Sequence, residues 1–222
     1  MLLAIDTSTR MVSIALYDGA RVHSEMSWIS HSYHTVELAP AVADMLTKAT
    51  IAASDLSALG VAMGPGSFTA LRIGLALAKG IVLSEHIPLI GIPTLDVLAA
   101  SQPLSDLHLA AILQAGRKRV AIGWYLANQG SWQSTGELEN MTLDEFADNI
   151  RQPTLVCGEL NAEMRQRLGR KFKNVQLASP AQSMRRSAYL AELAWNRWQA
   201  GETDNPALLS PIYLHHGDPI PG

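Results

Sequence analysis

The sequence predicts an α/β protein of two related halves, the second the shorter. Three observations carry that prediction. Hydrophobic periodicity over residues 1–100 reads β-β-β-α-β-α-β-α, in strands of period two and helices of period 3.6. From Leu109 the same organisation starts again, strand, polar loop, strand, then mixed α/β, although no sequence repeat accompanies it. Of the 222 residues, 48% are apolar and 17% charged, the balance of a chain that buries a core. The expected division is 1–103 and 104–222, with the terminal helix and tail assigned to the second part.

Residues 2–5, 12–17 and 21–28 alternate apolar and polar side chains, and Asp18-Gly19 supplies a hairpin turn between the second and third. Between the first two strands lies Asp6-Thr7-Ser8-Thr9-Arg10, short and rich in hydroxyls. Residues 35–50 place Leu38, Val42, Met45, Leu46 and Ala49 on one helical face, with Pro40 near the first turn, where proline is tolerated. A buried strand at 59–63 runs into Gly64-Pro65-Gly66-Ser67 and a long apolar helix. A strand at 88–92 and a helix at 94–100 close the first half. In the second, strands at 109–113 and 120–126 flank the loop 114–119. They precede a helix at 143–150, a strand at 154–157, and helices at 162–168 and 187–200. The last helix carries Tyr189, Leu190, Leu193, Ala194 and Trp198 on one side, widened by Trp195, which reads as core packing. From Pro206 the tail holds Pro211, Pro219 and Pro221 and is expected to lie on the surface or fray.

A net charge of −3 gives no overall field that would draw the chain onto nucleic acid. Cys157 is the single cysteine, so an internal disulfide is excluded, and its apolar strand makes it a small core residue rather than a nucleophile. The N-terminus runs directly into Leu2-Leu3-Ala4-Ile5 with no basic region, so no signal peptide is expected. The most apolar helix carries Arg72 and Lys79 and is not expected to span a membrane. A cytoplasmic protein is the expectation.

Two loops could contact a phosphate. Asp6, Thr7 and Ser8 end the first strand with a carboxylate, hydroxyls and amides at one point, suited to phosphate or Mg²⁺ in a nucleotide cleft or simply to a polar hairpin turn. Gly64-Pro65-Gly66-Ser67 is neither a Walker A loop, since Gly64 and Gly66 are two apart and the first lysine is Lys79, nor G-x-G-x-x-G, since Thr69 stands at the third glycine. Its glycines permit a sharp reversal, and Ser67 can cap the next helix. Free amides there would hold an anion; otherwise the turn packs strand against helix. His31 and His34 are three apart but lack a carboxylate before Glu37, and read as a capping or surface pair, as His215-His216 do more weakly. Arg165, Arg167, Arg170, Lys171 and Lys173 read as a solvated face rather than a phosphate-backbone contact.

The helix after the turn is apolar on nearly every side. Leu71, Leu75 and Val82 lie on one side, Ile73, Leu77 and Ile81 on another, while Ala70, Gly74 and Ala78 recur every fourth residue. One sheet covers one side only, so a second face formed by Ala70, Ile73, Gly74, Leu77, Ala78 and Ile81 is expected to meet a partner helix at close range.

Leu3-Ala-Ile-Asp6-Thr-Ser8, Gly64-Pro-Gly-Ser-Phe-Thr-Ala-Leu-Arg-Ile-Gly74, Ala78-Lys-Gly80 and Ile87-Pro-Leu-Ile-Gly-Ile-Pro-Thr94 resemble the TsaB (YeaZ) family over roughly residues 1–100. The resemblance implies an actin-like, Hsp70-like ATPase fold. It also implies a non-catalytic scaffold in the machinery that places threonylcarbamoyl on adenosine 37 of tRNAs reading codons that begin with A. The implied partners are a TsaD-like catalytic paralogue and a TsaE-like ATPase, with tRNA reached through the complex and a second copy taken when the partner is absent. No intrinsic cofactor is implied, ATP or ADP with Mg²⁺ belonging to the assembly. TsaD-like sequences carry a His-x-x-x-His metal motif whose positions here are Thr94 and Leu98, neither a metal ligand, with Asp96 alone left of the acidic centre. The loop 114–119 and His215 depart from the family pattern. A free-standing actin-like-fold ATPase or kinase using Asp6 and the 64–67 turn stands as the alternative, with a metallopeptidase behind it.

Overall fold

The computed structural model describes residues 1–31, 34–116, 118–170 and 173–214. The chain divides into two units, Met1–Val97 with Arg185–Ile212 and Leu98–Met184 with Tyr213–Gly222.

In the first unit, β1 (Leu2–Asp6), β2 (Met11–Tyr17) and β3 (Val22–Ile29) form an antiparallel meander, and β4 (Ala58–Ala62) and β5 (Leu89–Ile92) add in parallel beyond β1. The sheet order is β3-β2-β1-β4-β5. Both faces of its centre are buried, so Leu2-Leu3-Ala4-Ile5 of β1 is an unbroken apolar run, as β4 is, rather than the alternation expected over 2–5. Leu3 and Ile5 point into one core with Leu38, Val42 and Met45 of α1 (His34–Lys48) and Leu75, Ala78 and Val82 of α2 (Phe68–Glu85). Leu2 and Ala4 point into the opposite core.

That opposite core is closed by α6 (Ser187–Gln199) through Leu190, Ala191 and Ala194. The terminal helix, expected in 104–222, belongs to the first unit. Small residues on the strands decide this: a Cβ on Gly60 would stand 2.7 Å from Ala194 Cβ, so the helix lies close against β4. The tail follows it, with Asp204 bridged to Leu89 and Ile212 N–H donating to Met63 O at 2.7 Å. It therefore packs on its unit through residue 212.

In the second unit, β6 (His108–Gln114) and β7 (Arg119–Asn128) are antiparallel, and β10 (Thr154–Gly158) and β11 (Val175–Leu177) add in parallel beyond β6. β8 (Ser131–Ser134) completes the order β11-β10-β6-β7-β8, and β9 (Glu139–Thr142) pairs separately with β7. This is the order of the first sheet, so the two halves share a topology, as the sequence organisation predicts. Phe146 of α4 (Leu143–Asn149) and Leu168 of α5 (Ala162–Gly169) close one face. The helix over 94–100, α3, forms as expected. Strands β8, β9 and β11 have no counterpart in the sequence reading because each is only three or four residues long and mostly exposed or half-buried.

Candidate functional site

The end of β1 brings Asp6, Thr7 and Ser8 together with the turn before α2. The side-chain polar groups of Asp6, Thr7, Ser8, Ser67 and Thr94 are all engaged within the protein. Asp6 Oδ1 accepts from Ser8 N–H at 2.8 Å, and Asp6 Oδ2 accepts from Arg185 Nε at 2.9 Å. Both side chains of that ion pair are 1% exposed. Arg185 also donates through Nη2 to Thr9 Oγ1 at 2.9 Å and to Met11 O at 2.7 Å. A buried carboxylate is tolerable when its charge is matched and its lone pairs are used, and here both conditions are met by the protein itself.

The other hydroxyls stitch the loops together. Thr7 Oγ1 donates to Ala70 O at 2.7 Å, and Ser8 Oγ lies 2.7 Å from Thr94 Oγ1. Thr94 Oγ1 accepts from Gly64 N–H at 2.9 Å, and Thr94 N–H donates to Gly64 O at 2.8 Å. Thr94, at a position where the resembled catalytic family carries a metal-binding histidine, thus cross-links β1 and the turn. Ser67 N–H donates to Ser8 O at 2.6 Å, and Ser67 Oγ caps α2 by accepting from Ala70 N–H at 3.5 Å. A Cβ on Gly66 would lie 2.2 Å from Ser8 O, so this glycine exists to let the turn close on the Asp6–Ser8 loop. Gly64 sits at φ +103, in the left-handed region. Asp6, Gly64, Gly66 and Ser67 are therefore a packing junction in which the amides of Gly64 and Ser67 are spent on protein acceptors.

The Ala70, Gly74 and Ala78 stripe faces inward, not toward a partner. Ala70 is 3% and Ala78 0% exposed, and a Cβ on Gly74 would stand 2.2 Å from Thr7 Oγ1. The small residues admit the β1 loop, not another protein's helix. Ile73, Leu77 and Ile81 are half-buried against the same core. The outer face of α2 consists instead of Phe68 (51% exposed), Arg72, Ala76, Gly80 and Leu83 (67%), with nothing within 4 Å of a Cβ built on Gly80.

The remaining candidates resolve locally. His34, buried at the start of α1, has Nε2 3.0 Å from Thr9 O, and His31, ahead of the helix, has Nδ1 3.2 Å from Arg10 Nη2. Among the described residues no group of three or more His, Cys, Asp or Glu could hold a metal. Arg165 donates to Ala178 O and Arg167 pairs with Asp144, while Lys171 and His215-His216 lie outside the described residues. Cys157 is buried, and burial pushes its thiol up to about 12. Sequence reading missed Arg185, and no local signal marks it, because its partner Asp6 is 179 residues away.

The fold and junction define a class: an actin-like fold in which the side chains of the loop after β1 bond to the protein itself. At the level of fold alone, the chain is similar to a ROK hexokinase from Thermus thermophilus, at TM-score 0.51 and 10% identity over 90% of this chain and 99% of that one. The family model described as TsaD, tRNA N6-adenosine threonylcarbamoyltransferase, matches residues 28–184. The tRNA threonylcarbamoyladenosine biosynthesis protein TsaB of Bacillus subtilis is 34% identical over 71% of this chain and 70% of its own length. The structure of YeaZ from Pseudomonas aeruginosa superposes at TM-score 0.79 with 25% identity, over 96% of this chain and 99% of that one. The chain belongs to the TsaB (YeaZ) family, within the wider TsaD group whose model it matches. No helix among the described residues is long and apolar enough to cross a membrane.

Proposed function

We propose that this chain serves tRNA threonylcarbamoyladenosine biosynthesis in the cytoplasm as a non-catalytic subunit that binds a TsaD-like catalytic chain. The observation that carries the non-catalytic reading is the Asp6–Arg185 pair. A phosphoryl-transfer site needs its carboxylate free for Mg²⁺ and its glycine-turn amides free for phosphate oxygens. Here the carboxylate is matched by a buried guanidinium, and the turn amides of Gly64 and Ser67 donate to Thr94 and Ser8. The names of its relatives support the pathway.

The partner surface is the outer face of α2, with Arg72, Ala76, Gly80 and Leu83 at its centre and Ile73 and Leu77 on its flank. Ala76 and Gly80 are the small residues that let a second helix approach. Burying Leu83 and the exposed parts of Ile73 and Leu77 contributes up to about 1.5–3 kcal/mol per fully buried side chain before association costs. Without the partner, the same face takes a second copy. A TsaE-like ATPase, ATP with Mg²⁺, and tRNA join through the assembled complex. Co-elution of this chain with the TsaD-like chain of its own organism on size exclusion tests the reading. Separate elution of the two, together with ATP turnover by this chain alone that Asp6→Ala abolishes, would replace it with a free-standing ATPase.

A further inference from the structure

The second unit contains a cavity of about 350 Å³ at the starting ends of β6 and β10, lined by His108, Trp124, Asn149, Arg151, Gln152 and Thr154 among others. Among the described residues no acidic side chain lines it. Its volume falls at the lower end of the range for small-molecule sites, about 300–1,000 Å³.

The lining is a set of donors around an aromatic wall. Arg151 is exposed and makes no hydrogen bond or ion pair among the described residues. Gln152 Nε2 lies 3.0 Å from His108 Nδ1. With the amide nitrogen donating, His108 accepts at Nδ1 and carries its proton on Nε2, which adds a second donor to the cavity. Asn149 spends its amide only on Met141 Sδ at 3.6 Å, a weak acceptor. Trp124 packs against Phe146, ring centroids 5.7 Å apart, and its indole N–H is fixed on Glu139 Oε2 at 3.1 Å. Its orientation is thereby set, and its partner acid is occupied.

An unpaired guanidinium beside an imidazole N–H selects an anion, and guanidinium geometry matches phosphate oxygens in pairs. A lone phosphate would leave Trp124 and the Asn149 amide unused. A base stacks on an aromatic ring whatever its identity, and amide side chains meet its edge. We infer that this cavity is a mononucleotide site, in which Arg151 and His108 hold the phosphate, Trp124 stacks on the base, and Asn149 and Gln152 bond its edge. A free 5′-nucleotide and an unstacked residue of single-stranded RNA present this same chemistry. The site's lining lies within the second unit.

The test is a titration of the full ¹⁵N-labelled chain with AMP, adenosine, inorganic phosphate and a five-residue oligoadenylate RNA. The readout is the Trp124 indole N–H, assigned with Trp124→Phe, and the side-chain amides of Asn149 and Gln152. AMP or the oligonucleotide should shift all three saturably. Whichever source is the ligand should bind the tighter of the two, and adenosine and phosphate should each bind at least about tenfold more weakly than AMP. Arg151→Ala should raise the midpoint about tenfold and Arg151→Lys less, with an unchanged melt because the residue is exposed. Gln152→Ala, also at an exposed position, repeats the test independently. No saturable shift at these residues, a midpoint indifferent to both alanine variants, or phosphate binding as tightly as AMP would overturn the proposal.

Discussion

Arg185 decides what the residues around Asp6 can do. Its guanidinium holds a carboxylate, a hydroxyl and a backbone carbonyl at once, so removing it strands a buried negative charge. Arg185→Met is expected to cost about 3–5 kcal/mol in chemical denaturation, the range for breaking a buried pair. Arg185→Lys should recover little, because an ammonium cannot reproduce the fork. Cys157 gives a second residue-level expectation: with its thiol pushed up to about 12 by burial, the native protein should resist iodoacetamide at pH 8 and react only once unfolded. A third concerns pH. The Thr142 N–H and hydroxyl, at 2.7 and 2.9 Å, hold the Glu145 carboxylate below its ordinary range. A folded pKa below the unfolded one adds stability above the unfolded value and loses it as pH falls through the folded value. The melting-temperature gap between the natural chain and Glu145→Gln should therefore be present at pH 7 and close as the solution is acidified below the ordinary carboxylate range.

At the scale of the element, α2 shows how far periodicity reads. Its boundaries and its apolar character on several sides follow from composition and from Ser67 as cap. Which side the small residues face does not, because a stripe of Ala and Gly at fourfold spacing admits any close neighbour, a partner helix or the chain's own loop. Here the neighbour is Thr7. Gly74→Leu should therefore collapse the melt, whereas Gly80→Leu, which meets open space, should leave the melt intact and weaken binding to the TsaD-like chain at least about tenfold if α2 forms the interface. A loss of fold in Gly80→Leu with normal binding in Gly74→Leu would reverse both assignments. The same geometry predicts that Gly66→Val misfolds, since its side chain would enter the Ser8 carbonyl.

At the scale of the whole molecule, the chain returns to where it began. Residues 185–212 lie in the first unit, and α6 supplies the second cover of a sheet whose strands are formed before residue 100. A chain ended after Met184 would expose Leu2, Ala4, Ala58, Ile90 and Ile92 on one face. It should aggregate or lose cooperative unfolding, which light scattering and a thermal melt would record; a soluble truncated chain with an unchanged melt would show that α6 is dispensable.

Strand alternation, helix faces and the restart at Leu109 made the α/β class and the two-half plan legible, because periodicity is written locally and each element carries its own copy. The glycines of the 64–67 turn were legible for the same reason, as positions requiring close backbone approach. The pairing of Asp6 with Arg185, the inward direction of Gly74 and the allegiance of α6 were not. Each depends on which of several chemically suitable partners the chain brings into contact across long sequence separations. Local pattern specifies that a charge needs a counter-charge and an apolar face needs cover; only the packed tertiary structure selects the atoms that provide them.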